Sequence, residues 1–255
     1  MANGPVLWAK LSWPEIEDLV RRGPRMAIWP LGTTEEHGRH LPVDVDLANC
    51  WEVARGVSAN TGVPLIPPLP YGDSGFWRGW PGTLSLSAES FIAVVGDVCA
   101  GLYESGIRKI LLLNGHLGNV PALRIASRKV QARHPDAQVR ALSWWDVSPR
   151  VIEVMYADSI TGASRSFHGN DGETSVYLTH SPELVHLDLA VDEPDRSRPQ
   201  PFFTYGSQQI TGSGAIGHPT SASVDKGREV LRWAIADLTA EVRRAIEEIA
   251  PGVRS

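Results

Sequence analysis

The residues best suited to chemistry lie in one short segment, Gly32-Thr-Thr-Glu35-Glu36-His37-Gly38-Arg39-His40-Leu-Pro42-Val-Asp44-Val-Asp46. Hard divalent cations take carboxylate oxygen, and zinc and manganese also accept neutral imidazole. In extended chain, Glu35 and His37 are two residues apart and project to the same side. A carboxylate such as Asp46 has two oxygens and can bridge two ions. A polar loop can equally be mere solvated surface. Here two glycines and a proline mark a shaped turn, which favours a site.

Two further clusters carry the same residue types. In Asn114-Gly115-His116-Leu117-Gly118-Asn119 the glycines admit close backbone approach, and His116 can ligate or shuttle protons. In Ser166-Phe-His168-Gly-Asn-Asp-Gly172-Glu173-Thr-Ser175, Glu173 falls in the first turn of an expected helix, where a carboxylate is electrostatically favoured for purely structural reasons. His168 has no apolar face to pack on and precedes a glycine-rich turn. The aromatic stretch from Tyr71 to Thr83, with Phe76, Trp77 and Trp80 among glycines, reads as a loop that can wall a substrate pocket. His40 and Asp44 are candidates for orienting ligands. His134, His180, His186 and His218 read as surface or structural.

These clusters must be held by a scaffold. The pattern predicts helices over 13–22, 47–60, 87–105, 121–133, 172–179 and 224–249, with Ser12 as an N-cap and Pro14 early in the first helix. Short apolar runs over 26–31, 64–67, 107–113 and 139–143 read as buried strands. Helices alternating with fully apolar strands imply a three-layer αβα fold with a mostly parallel central sheet, and one domain over 1–255. In such sheets ligands bind beyond the carboxyl ends of the strands. The clusters at 32–46 and 114–119 follow strands directly, so both are expected on one rim. Residues 180–222 are rich in Pro, Gly and Ser and read as irregular loop.

Composition bounds the rest. Basic residues number 24 against 29 acidic, a net charge of −5, and no basic run forms a nucleic-acid or anionic-membrane surface. No apolar run approaches the roughly 20 residues of a membrane span, and no leader pattern opens the chain. Cys50 and Cys99 lack ligand spacing and read as buried free thiols, consistent with a cytoplasmic protein. A chain this long needs no metal merely to fold. Any metal present therefore serves chemistry.

Taken together and in order, the three clusters resemble the creatininase family of amidohydrolases. The first is similar to its Glu-x-His-Gly-x-His-Leu-Pro-x-x-x-Asp pattern, the second to Asn-Gly-His-x-x-Asn, and the third to His-x-Gly-x-x-Glu-Thr-Ser. A weaker echo is the Gly214-Ala-Ile-Gly217-His-Pro219 turn ahead of the last helix. The resemblance implies two divalent cations, zinc or manganese, with iron also suited. One would be held by Glu35 and His116, the other by His37, with Asp46 bridging and Glu173 as the remaining carboxylate. Creatininase itself has a glutamate where this chain has Gly118, and Glu173 is expected to fill that gap. His168 matches the family's proton-transfer histidine.

Trp144 matches one of the two tryptophans that creatininase uses around its substrate. Arg165 lies where the other is expected and points to a pocket for a different, anionic ligand, with Trp77 a further candidate for the substrate wall. Arg39 replaces the usual proline of the first motif. The implied activity is hydrolysis of a C–N amide bond in a small molecule such as a cyclic amide or formamide. A peptidase acting on a modified peptide and a non-catalytic metal-binding scaffold are the alternatives. The resemblance also implies a homo-oligomer, a hexamer.

Overall fold

The structure, a computed structural model, describes residues 4–157, 167–193 and 204–249. Three strands, β1 (Met26–Leu31), β2 (Lys109–Asn114) and β3 (Gln138–Ser143), form a parallel sheet in the order β1-β2-β3. Their register aligns Leu31 with Asn114 and Asn114 with Ser143, so the carboxyl ends form one rim. The expected strand at 64–67 is instead an extended segment touching the sheet at single bridges. Leu65 bridges both Leu7 and Ile28, and Leu69 bridges Leu31. Pro64, Pro67 and Pro68 lack the N–H groups a continuous ladder requires, which is why pairing there is intermittent.

Residues alternate between the two faces of the strands, and both faces are covered. Met26 and Ile28 of β1, with Leu111 and Leu113 of β2, join a core with α2 (Val45–Thr61), α5 (Pro149–Met155), α6 (Asp171–His180) and α7 (Val224–Glu247). Ala27, Trp29, Leu31, Ile110 and Leu112 face the other way, against α1 (Trp13–Arg22), α3 (Ala88–Glu104) and α4 (Val120–Arg133). A period-2 strand with two apolar faces is the signature of a sheet between helical layers. This is the expected three-layer α/β architecture. α5 is an element the periodicity does not reveal.

Local signals set the boundaries. Ser12 N donates to Glu15 Oε2 at 2.7 Å at the start of α1, and Pro14 occupies its first turn. Gly62, at φ +73°, ends α2 in the left-handed conformation. Lys109 Nζ, at the start of β2, donates to the carbonyls of Ala245, Ile246 and Glu248 at 2.7–2.8 Å and so caps the end of α7. No helix among the described residues is long and apolar enough to cross a membrane. Cys50 and Cys99 are buried free thiols, and burial pushes the Cys50 thiol far above its usual range and the Cys99 thiol up to about 12.

Candidate metal centre

The first cluster leaves β1 at Leu31 and crosses the rim before α2. Glu35 and His37 are fully buried, and Asp46, in the first turn of α2, is 3% exposed. The second cluster leaves β2. Gly115 packs on the Asp46 carbonyl so closely that no side chain fits there. The third cluster opens α6, where Asn170 Oδ1 accepts from Glu173 N at 3.0 Å as the N-cap. Asn170 stands in place of the motif's glycine, and its amide also donates to Met155 O at 2.8 Å, tying α6 to α5.

Three groups of ligand-type atoms result, each within 4.8 Å: Glu35, Asp46 and His116; His37, Asp46 and Glu173; and Glu35, His37 and His168. Asp46 is common to the first two. Its Oδ2 faces His116 Nδ1 at 2.9 Å and its Oδ1 faces His37 Nε2 at 3.2 Å. His116 Nε2 lies 3.4 Å from Glu35 Oε2, His168 Nδ1 lies 3.4 Å from Glu35 Oε1, and His37 Nε2 lies 3.9 Å from Glu173 Oε1. A tetrahedral zinc with bonds of about 2.0–2.1 Å spaces its ligand atoms roughly 3.3 Å apart. The His37–Asp46 and His168–Glu35 separations match that spacing.

The histidines share a design. His37 Nδ1 meets Glu35 O at 3.0 Å, His116 Nε2 meets Asp73 O at 3.1 Å, and His168 Nε2 meets Glu36 O at 2.6 Å. A carbonyl only accepts, so in each neutral ring that nitrogen carries the proton and the other presents its lone pair. In all three, the other nitrogen faces a carboxylate oxygen. Backbone-anchored imidazoles of this kind are the usual outer support of metal ligands.

Several buried atoms here make no hydrogen bond: both Glu35 oxygens, Glu36 Oε1, Glu173 Oε2 and His37 Nε2. Buried carboxylate oxygens without partners are costly unless a cation or proton neutralises them. The titration of the cluster reflects this. Burial raises Glu35 to about 7, with His116 and His37 opposing, and burial raises Glu173 to about 7, with His37 opposing. Asp46 is held far below the carboxylate range, because His37 and His116 outweigh its burial. His116 stands at about 9 and His37 well above its usual value, since burial is outweighed by Glu35 and Asp46 for the former and by Asp46 and Glu173 for the latter. His168 is pushed down to about 4 by burial and by His37, so it is neutral.

The remaining expected residues separate. Trp77, 5% exposed, stacks on His168 with ring centroids 3.7 Å apart, while His37 lies against the same imidazole at 4.1 Å. Trp144 does not join this cluster. It is 1% exposed, packs in the core shared with α2 and α5–α7, and sits edge-on to Trp145. As the residue directly after β3, it is turned into the apolar layer. Arg165 lies outside the described residues. His40 Nε2 lies 3.0 Å from Thr174 Oγ1 and links the first motif to α6, and Asp44 accepts from Tyr177 Oη at 2.8 Å. His134 stacks on Tyr103, and His180 Nε2 lies 3.0 Å from Asn49 Oδ1.

Sequence reasoning assigns no role to Thr33 or Glu36, and both touch the centre. Thr33 Oγ1 donates to Asp46 Oδ2, and Glu36 supplies the carbonyl for His168 while its carboxylate accepts from Gly38 N at 2.9 Å. The signal for Thr33 is its place immediately after a strand end, where a hydroxyl can reach the rim. At Gly118 a side chain would run into His116 Nε2 and the Asp73 carbonyl, so this position has no room for one.

A family model described as creatinine amidohydrolase, Creatininase, matches residues 9–242. The creatinine amidohydrolase of Pseudomonas putida is 31% identical over 259 residues, spanning 96% of this chain and 98% of that protein. The mycofactocin precursor peptide peptidase of Mycobacterium ulcerans (strain Agy99) is 30% identical over 247 residues, 91% of this chain and 86% of that one. A solved creatininase variant of zinc–zinc type superposes with a TM-score of 0.84 at 30% identity, covering 96% of this chain and 100% of its own.

Proposed function

The chain belongs to the creatininase family, and from that premise we propose that it is a hydrolase holding two divalent cations and cleaving a C–N amide bond of a small molecule. The observation that carries the reading is the shared design of His37, His116 and His168: one nitrogen fixed on a backbone carbonyl, the other turned to carboxylate oxygens. Glu35, Asp46 and His116 would hold one cation, and His37, Asp46 and Glu173 the other. Mixed oxygen and nitrogen donors suit zinc and manganese. Bound cations supply Lewis acidity, which polarises a carbonyl and acidifies water.

The protein's own groups do the rest. His168 is neutral, with its Nε2 proton on Glu36 O and its Nδ1 lone pair on the Glu35 side. It is therefore poised to take a proton at Nδ1 from the attacking water and return it to the departing nitrogen, an amine being a poor leaving group until protonated. Trp77 stacked on the ring shields it from bulk water. A second reading rests on the grouping of His168 with Glu35 and His37, which would make His168 a ligand instead.

Metal content and turnover of the purified protein, Asp46→Ala and His168→Ala decide between these. The expected result is about two divalent ions per chain, lost in Asp46→Ala and kept in His168→Ala, whose turnover falls. Loss of one ion in His168→Ala would favour the ligand role. No bound metal even after reconstitution would overturn the hydrolase reading. The two curated relatives act, by name, on creatinine and on a precursor peptide. A panel of lactams, formamides and short peptides is the matching substrate screen, and the homo-oligomer implied by family resemblance is checked by light scattering on the same preparation.

A further inference from the structure

The Gly214–Pro219 turn has no part in the ligand set, yet it lies against it. Ile216 and His168 exchange backbone hydrogen bonds in both directions, at 3.1 and 2.7 Å. The next residue, Gly217, exchanges a second pair with Glu193, both at 2.9 Å. Residues 216–217 thus form a short extended bridge with His168 on one side and Glu193 on the other. Gly214, at φ +84°, lies so close to the Glu36 carboxylate that any side chain would collide with it.

What shapes this turn is the Glu193 side chain. Its carboxylate accepts from Thr211 Oγ1 at 2.8 Å, Gly212 N at 3.0 Å, Ser213 N at 2.9 Å and Ser213 Oγ at 2.6 Å. Charge-assisted bonds to a carboxylate are about twice as strong as neutral ones. Burial would raise the Glu193 carboxyl, but the bonds from Ser213, Gly212 and Thr211 prevail and hold it at about 2. Its neighbour Asp192 binds the far end of the same loop, accepting from Thr220 N at 3.1 Å and Thr220 Oγ1 at 2.7 Å.

We propose that Glu193 is a positioning residue for His168: its carboxylate folds the 211–215 turn and its backbone clamps residue 217, so that Ile216 fixes the His168 backbone and Gly214 seats Glu36, whose carbonyl holds the His168 Nε2 proton. The functional importance of this rests on the reading of His168 as the proton carrier. The positioning itself does not, and it is measurable without a substrate.

The test uses the full chain, as purified and zinc-loaded, with Glu193→Ala, Glu193→Gln and Asp192→Asn. In Glu193→Ala, amide exchange at His168 and Ile216 should quicken about tenfold or more, and the His168 Nε2–H resonance in an imidazole proton–nitrogen spectrum should broaden or vanish. Glu193→Gln keeps one acceptor oxygen and should fall between it and the native protein, which also covers the case in which the alanine variant does not fold. Asp192→Asn should loosen only the Thr220 end and leave His168 signals in place. Faster exchange at Gly212 and Ser213 with His168 and Ile216 unchanged would overturn the proposal, as would equal effects from Asp192→Asn. If the substrate screen also yields a substrate, kcat should fall in Glu193→Ala with KM little changed. If it yields none, only the proton-carrier reading is weakened.

Discussion

At the residue scale, the centre is a balance of buried charges that must be satisfied by protons or by cations. Glu35 and Glu173 stand at about 7 and His116 at about 9, while Asp46 stays ionised among them. Metal binding needs carboxylates and neutral imidazoles. At pH 7 His116 and His37 must therefore each lose a proton, and the two glutamates lose about half a proton each. The predicted outcome is release of roughly two to three protons per chain on zinc binding, with affinity climbing as pH rises from about 6 to 9. Calorimetry in two buffers of different ionisation enthalpy measures this, and a heat independent of buffer would refute the assignment. The ligand types were legible in sequence because carboxylates and imidazoles crowd after strand ends. The support was not, because backbone carbonyls such as those of Asp73 and Glu36 carry no residue signature.

At the element scale, the site depends on how closely α6 and α7 approach. Gly227 in α7 faces the Ser175 carbonyl of α6, where an added methyl has no room, whereas Gly96 in α3 faces open space. Both are helix-interior glycines, so alanine should favour the helix by about 0.5–1 kcal/mol in each. At Gly96 that gain should appear as a higher urea midpoint. At Gly227 overpacking of about 1–3 kcal/mol should exceed it. α6 must shift and carry Glu173 with it, so zinc affinity should fall along with the midpoint. A Gly227→Ala protein as stable as Gly96→Ala would show that the helices are not locked there. Sequence periodicity placed α1, α3, α4 and α7 within a residue or two of their observed bounds, because each carries an apolar stripe. It missed α5, whose seven residues are too few to show a period, and it read a strand where Pro64, Pro67 and Pro68 leave only bridges.

At the scale of the whole molecule, the parallel register brings Glu35, His116 and Glu173 to one place although about 140 residues of chain separate the first from the last. The rim was legible, since two motifs each follow an apolar strand. The Glu193 clamp was not, since its partners lie near position 212 and nothing local marks the pairing. Because the proposed ligands come from the loop after β1, from α2, from the loop after β2 and from α6, a cation bound among them would tie both motif loops to the helical layer of α2 and α6. Binding energy is then available only to the folded chain. A ligand at 1,000 times its Kd adds about 4 kcal/mol to folding, which for a chain this long corresponds to roughly 8–16 °C in Tm. Melts with zinc and with chelator should differ on that order for the native protein. In Asp46→Ala, which removes the carboxylate common to both ligand groups, the difference should collapse toward zero. An equal increment in the variant would mean that zinc binds elsewhere, and would separate the buried centre from the stability it is expected to confer.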